Sequence, residues 1–114
     1  MAYNESLANR IRENLESQPL VEEKKMMGGL VFMVDGKMCV GIIKDEMMLR
    51  IDPTLQEFLL EKIGCRMMDF TKRPMKGYIM VNEDGMKFKK DFSQWIQYAI
   101  DFNKHAKLSK KNKK

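Results

Sequence analysis

Asp35-Gly36 stands between two apolar runs, Leu30 to Val34 and Met38 to Ile42, and no other dipeptide in the chain restricts the fold as strongly. A favoured two-residue hairpin turn needs positive φ at both central residues, which Asp and above all Gly accept. The apolar positions alternate on each side, with Leu30, Phe32 and Val34 before the turn and Met38, Val40 and Ile42 after it. That period of two predicts paired antiparallel strands. After the polar break at Lys44-Asp45-Glu46, a third strand is expected over Met47 to Ile51, which makes a meander.

The flanking segments change period. Leu7, Ile11 and Leu15 recur at four-residue spacing among Arg10, Arg12, Glu13 and Glu16, which predicts an amphipathic helix capped by Asn4 and stopped by Pro19. Asp52-Pro53 opens a short middle helix with Leu55, Phe58 and Leu59 as its stripe, and Gly64 closes it. Cys65 to Met68 and Gly77 to Val81 are expected as two further strands around the loop Asp69 to Lys76, followed by the turn cluster Asn82-Glu83-Asp84-Gly85. Asp91 with Gln94 three residues later predicts the start of a last helix. The resulting order is α-β-β-β-α-β-β-α, an α+β domain of two layers with an antiparallel five-stranded sheet covered by helices.

With 114 residues there is material for one domain, with roughly 65 per cent of its unfolded surface buried on folding. The charge of +5 is unevenly placed: six of the 21 lysines and arginines fall in the last eleven residues, which hold no acid, leaving 15 against 16 over residues 1–103. Residues 1–103 are therefore read as a nearly neutral single domain and 104–114 as a basic, disordered tail. The field of the body is too weak to capture phosphates by itself. Cys39 and Cys65 match no metal or redox spacing and are read as buried thiols. No apolar run is long enough to cross a bilayer and the N-terminus is polar throughout, so no membrane is implicated and the expected location is the cytoplasm.

The segments KKMMGGLVFMVDGKMCVGIIK at Lys24 to Lys44 and MDFTKRPMKGYIMV at Met68 to Val81 resemble the TfoX N-terminal domain family. The resemblance runs from about Tyr3 to the tail and is best at Met26 to Gly41 and Asp69 to Tyr78. It implies a secretion-chaperone-like fold, whose element order agrees with the one read from periodicity. It also implies a module of competence regulators of the TfoX or Sxy type, which act with a cyclic-AMP receptor protein at promoters. Those regulators carry a second, C-terminal domain, so the present chain is expected to be the stand-alone form. Some relatives are labelled as related to RNA methyltransferases, a reading for which this sequence offers no cofactor-binding motif.

Two groups of residues are candidates for contact. The loop Asp69 to Tyr78 places three cations within five positions beside two aromatic rings; Lys72, Arg73, Lys76 and Tyr78, with Lys110, Lys111, Lys113 and Lys114 of the tail, form a candidate nucleic-acid or partner surface. The competing structural reading has Pro74 and Gly77 shaping a strand connection whose cations guard a sheet edge. Secondly, Phe92, Trp95, Ile96, Tyr98, Ala99, Ile100 and Phe102 spread wider over the last helix than one core-facing stripe needs. The pairs Met26-Met27, Met47-Met48 and Met67-Met68 send one methionine to each sheet face. A homodimer or a protein partner is expected to cover this excess, with Trp95, Tyr98 and Phe102 as self-association candidates. Methionine filling irregular core gaps is the competing explanation.

Catalytic chemistry finds little support. His105, the only histidine, begins the basic tail, and Asp45-Glu46 and Glu83-Asp84 fall in turns. Gly28-Gly29 leads into a strand rather than a helix, which suits a bulge or close backbone approach better than a phosphate cradle. No catalytic, cofactor or metal residue is assigned. The sequence therefore points to a non-enzymatic regulatory or protein-interaction module, with nucleic-acid binding and an RNA methyltransferase-related role as alternatives.

Overall fold

The Asp35-Gly36 turn forms as its chemistry requires, with φ of 55° and 76° at its two residues. It joins β2 (Gly29–Val34) to β3 (Lys37–Ile43) in antiparallel pairing. The computed structural model describes residues 4–26, 28–68 and 76–106. In chain order the elements are α1 (Glu5–Asn14), β1 (Val21–Met26), β2, β3, β4 (Glu46–Arg50), α2 (Gln56–Leu60), β5 (Cys65–Met67), β6 (Tyr78–Val81) and α3 (Lys89–Asn103). All neighbouring strands run antiparallel in the order β1-β2-β3-β4-β6-β5.

The sheet has six strands, not the expected five, and the element order gains a strand between α1 and the hairpin. The addition is β1, sequence VEEKKM, whose four adjacent charges conceal any apolar alternation. Its backbone is held by the ladder to β2 from Val21↔Val34 to Met26↔Gly29. The close approach expected at Gly28-Gly29 is present: Gly28 has φ of 74°, and a Cβ on Gly29 would run into the carbonyl of Ile42.

Local signals account for most of the boundaries. Asn4 Oδ1 accepts from the Leu7 N–H at 3.0 Å, capping α1, and the Asn4 N–H donates to the Lys44 carbonyl at 3.0 Å, fastening the helix to the β3–β4 turn. Asp52 accepts from the N–H and hydroxyl of Thr54 at 2.9 and 2.8 Å, which lowers its pKa and starts the turn leading into α2. Gly64 takes φ of 83°, and a Cβ there would lie 2.5 Å from the Gly85 nitrogen. α2 ends at Leu60, four residues before Gly64, and both outer helices also depart from expectation. α1 ends at Asn14, ahead of Pro19, and α3 begins at Lys89, two residues before Asp91, with Phe88 at its cap position.

Alternation divides the sheet into two cores. Leu30, Phe32, Val40, Ile42, Leu49 and Ile79 face the helices, packing with Ile11 of α1, Leu59 of α2 and Phe92, Ile96 and Ile100 of α3. The opposite face carries Val31, Met33, Met48, Met68 and Met80, all buried, with Met26, Met38, Ile43 and Tyr78 packed around them. None of the described helical residues joins that second cluster. Met47 and Met48 thus go to different faces as expected, while Met27 lies outside the described residues. A register shift between Phe32 and Met33 makes Cys39 the extra residue of a bulge, which turns its side chain into the helix-side core beside Val40.

Polar ties close the edges. Arg12 of α1 grips Glu23 of β1 through two bonds of 2.7 and 2.8 Å, which lower the Glu23 pKa. Arg66 of β5 reaches Glu46 of β4 at 2.6 Å, and Asn103 Nδ2 donates to the Val34 carbonyl at 3.1 Å. Met48 is fully buried at the centre of the methionine face. Replacing it tests whether that face is a true core: Met48→Ala should lower unfolding free energy by about 2–5 kcal/mol and Met48→Leu by under about 1.5 kcal/mol, measured by denaturant unfolding.

Candidate functional site

α3 turns Phe92, Trp95, Ile96, Ala99, Ile100 and Asn103 toward the sheet, a spacing of three and four residues that leaves Gln94 and Tyr98 along one flank. The indole Nε1 of Trp95 donates to the Gly85 carbonyl at 3.0 Å, fixing the helix against the turn after β6. That turn is packed tightly on the segment after α2: the Asn82 N–H donates to the Gly64 carbonyl at 2.9 Å, and a Cβ on Gly85 would lie 2.6 Å from the Ile63 carbonyl. The two glycines let the backbones touch, so the side chains on either side of the crossing splay outward.

They line a groove of about 350 Å³, in which Gly85 and Trp95 are buried, Tyr98 is half-buried and Ile63 and Phe88 are exposed. The rings of Trp95 and Tyr98 lie 6.4 Å apart, tilted by 59°. Ile63 is 76% exposed and Phe88 69%, although both are large apolar side chains. Glu61, Asp84 and Asp91 stand at the rim with Lys62. Asp84 sits 3.8 Å from Lys87, and Lys62 lies over the exposed ring of Phe58 at 5.3 Å. The groove thus joins apolar side chains to charges of both signs, with Asp84 paired to Lys87 and Glu61 and Asp91 standing beside Lys62.

A second, polar concavity of about 570 Å³ lies between Asn4, Ser6 and Arg10 of the α1 end and Asp45, Glu83 and Lys87. Arg10 is committed there to structure, stacked 4.0 Å over the Phe92 ring and donating to the Met86 carbonyl at 3.3 Å. Charges of both signs alternate around this hollow, and among the described residues no group of three His, Cys, Asp or Glu side chains could hold a metal. His105 is exposed after the end of α3.

The sequence candidates are distributed unevenly. Trp95 and Tyr98 meet in the groove, Trp95 buried and Tyr98 half-buried. Phe102 lies half-buried elsewhere, its ring 5.8 Å from the Arg50 guanidinium, which is equally far from Tyr78. Lys76 is exposed and Tyr78 half-buried. Lys72, Arg73, Lys110, Lys111, Lys113 and Lys114 lie outside the described residues. Ile63 and Phe88 were not singled out by sequence reasoning; the available signal was Phe88 standing alone in the run Lys87 to Lys90.

Comparison with known proteins then supplies a context. The sequence model of the TfoX N-terminal domain matches residues 13–103. The chain belongs to the TfoX N-terminal domain family. No curated protein and no solved structure matches it. The matched range spans every strand, α2 and α3, so this TfoX N-terminal domain includes the groove in full.

Both thiols are free. Burial pushes Cys39 up to about 12 from the ordinary 9.0, against the opposing pull of Arg50, and pushes the half-buried Cys65, expected to be fully buried, up to about 11. The thiolate is favoured in the unfolded chain, so the stability from a buried neutral thiol is complete below 9.0 and is lost as pH rises toward about 12. Unfolding free energy should therefore fall on the alkaline side, with Cys39 contributing up to about 1.4 kcal/mol per pH unit. Denaturant unfolding of Cys39→Ala across this range should show a flatter slope by nearly that amount.

Proposed function

We propose that this TfoX N-terminal domain is a non-enzymatic interaction module of a regulatory kind, which seats an apolar, basic-flanked segment of a partner protein in the groove between α2 and α3. The observation that carries this reading is the pair Ile63 and Phe88, held largely in water in the same groove as the buried Trp95. Large apolar side chains scattered singly over a surface are ordinary, but two lining one groove together with a buried indole form an anchor site for a partner's apolar residue. The rim supplies direction: with Asp84 paired to Lys87, Glu61 and Asp91 still outnumber Lys62, so a segment carrying lysine or arginine beside its apolar anchor is favoured. In this reading Trp95 and Tyr98, expected as self-association residues, instead line the site for a different partner.

Membership of a family that includes competence regulators supports a place in transcriptional regulation. The two free thiols, Cys39 and Cys65, accord with a reducing cytoplasm.

Trp95 is the sole tryptophan, so its fluorescence reports directly on the groove. Titration with a short amphipathic Leu/Lys peptide should shift its emission saturably, whereas a Leu/Glu peptide of the same pattern and mixed-sequence duplex DNA should not. Ile63→Ser and Phe88→Ser should each weaken the Leu/Lys response by roughly tenfold while leaving the fold intact. An unchanged emission with the Leu/Lys peptide, or an equal response to the Leu/Glu peptide, would contradict the reading.

A further inference from the structure

β1 forms an outer edge of the sheet, with Glu22, Glu23, Lys24 and Lys25 all exposed and the first two acids balanced by the two bases. Its free backbone groups can be assigned. The Asp35 N–H donates to the Leu20 carbonyl at 2.8 Å in continuation of the β1–β2 register, so residues 20, 22, 24 and 26 bond to β2. Val21, Glu23 and Lys25 therefore aim their N–H and C=O groups out of the sheet. Side chains follow the same alternation. Glu23 lies on the helix side with Arg12, together with Val21 and Lys25; Glu22, Lys24 and Met26 lie on the methionine side.

An edge that must stay single is commonly shortened, bulged, interrupted by proline or loaded with charge, above all lysine. β1 is neither bulged nor interrupted by proline, and its charge is two lysines matched by two acids rather than a run of one sign. It is regular over six residues, and each lysine follows an acid two positions earlier on its own face. We propose that β1 pairs with β1 of a second copy of this chain, antiparallel about a two-fold axis normal to the sheet and centred on Glu23, joining the two six-stranded sheets.

Such an axis carries each sheet face into itself, so opposed residues must share a face, and centring on Glu23 satisfies this with described residues alone. Glu22 then opposes Lys24 of the second copy, and Lys24 opposes its Glu22, in the closely spaced positions where side chains interact best. Val21 opposes the aliphatic stem of Lys25. Leu20, 62% exposed, comes to lie beside Met26 of the second copy, which packs on the methionine cluster, so the apolar layer continues across the seam. The two Glu23 carboxylates meet at the axis, and the repulsion of that like-charge pair is offset by the Arg12 guanidinium bound to each of them. The outward N–H and C=O groups of Val21, Glu23 and Lys25 complete the ladder. This interface is independent of the groove, since β1 and the α2-flanked β5 occupy opposite ends of the strand order.

Sedimentation equilibrium over a concentration series tests the proposal. The wild-type chain should approach twice its 13.4 kDa mass. Glu22→Lys and Lys24→Glu should each weaken association roughly tenfold or more, since each replaces two attractive contacts by two repulsive ones. An equimolar mixture of the two variants should dimerise again, because one strand then presents only bases on that face and the other only acids. The double variant Glu22→Lys with Lys24→Glu should associate as the wild type does. Circular dichroism of each sample checks folding, and if a single variant fails to fold the double variant decides the matter. A monomeric wild type, single reversals that associate normally, or a monomeric double variant would overturn the proposal.

Discussion

Every strand of an antiparallel sheet sends alternate side chains to opposite faces, and from β2 through β4 and in β6 this chain places apolar residues at both parities. Two cores are the unavoidable result. Helices supply the second layer on one face, where branched and aromatic side chains interlock with Ile11, Phe92 and Ile96. The other face is closed mainly by methionine, whose unbranched, polarisable side chain fills gaps that a branched residue would leave. Both faces of the sheet are buried, and the contacts we propose therefore lie at the rim of the sheet and where connections cross. The groove beside the Gly64–Gly85 crossing and the free edge of β1 are such places.

The legible parts of the fold are those set by neighbours in sequence. Asp35-Gly36 announced its hairpin because both residues take positive φ, and Asn4 and Asp52 announced helical turns because their oxygens reach N–H groups two or three residues ahead. β1 was hidden for the opposite reason. Its pairing comes from the unfilled hydrogen-bonding edge of β2, and a strand held mainly by its ladder and the Arg12–Glu23 pair needs no apolar period. The bulge at Cys39 is similarly a matter of register between strands, visible only once β2 and β3 are paired.

The site was partly legible. The apolar excess of α3 pointed to Trp95 and Tyr98, and both line the groove. Ile63 and Phe88 escaped because an apolar residue near a helix end is usually buried, and only the tertiary crossing shows that these two are not. Phe102, grouped with them by helical spacing, does not line the groove, and its ring lies 5.8 Å from the Arg50 guanidinium. Arg10 illustrates the converse: a cation in a polar hollow, and yet its guanidinium is bound to an aromatic ring and a carbonyl and is committed to holding α1 in place.

Amide hydrogen exchange along β1 tests most directly the view that this domain works through its edges and crossings. In an isolated chain the β2 ladder protects only Glu22, Lys24 and Met26, leaving the amides of Val21, Glu23 and Lys25 open to water. The account predicts slow exchange at all six positions at high protein concentration, with the odd-numbered three quickening on dilution. Fast exchange at Val21, Glu23 and Lys25 at every concentration, beside protected even-numbered neighbours, would contradict it.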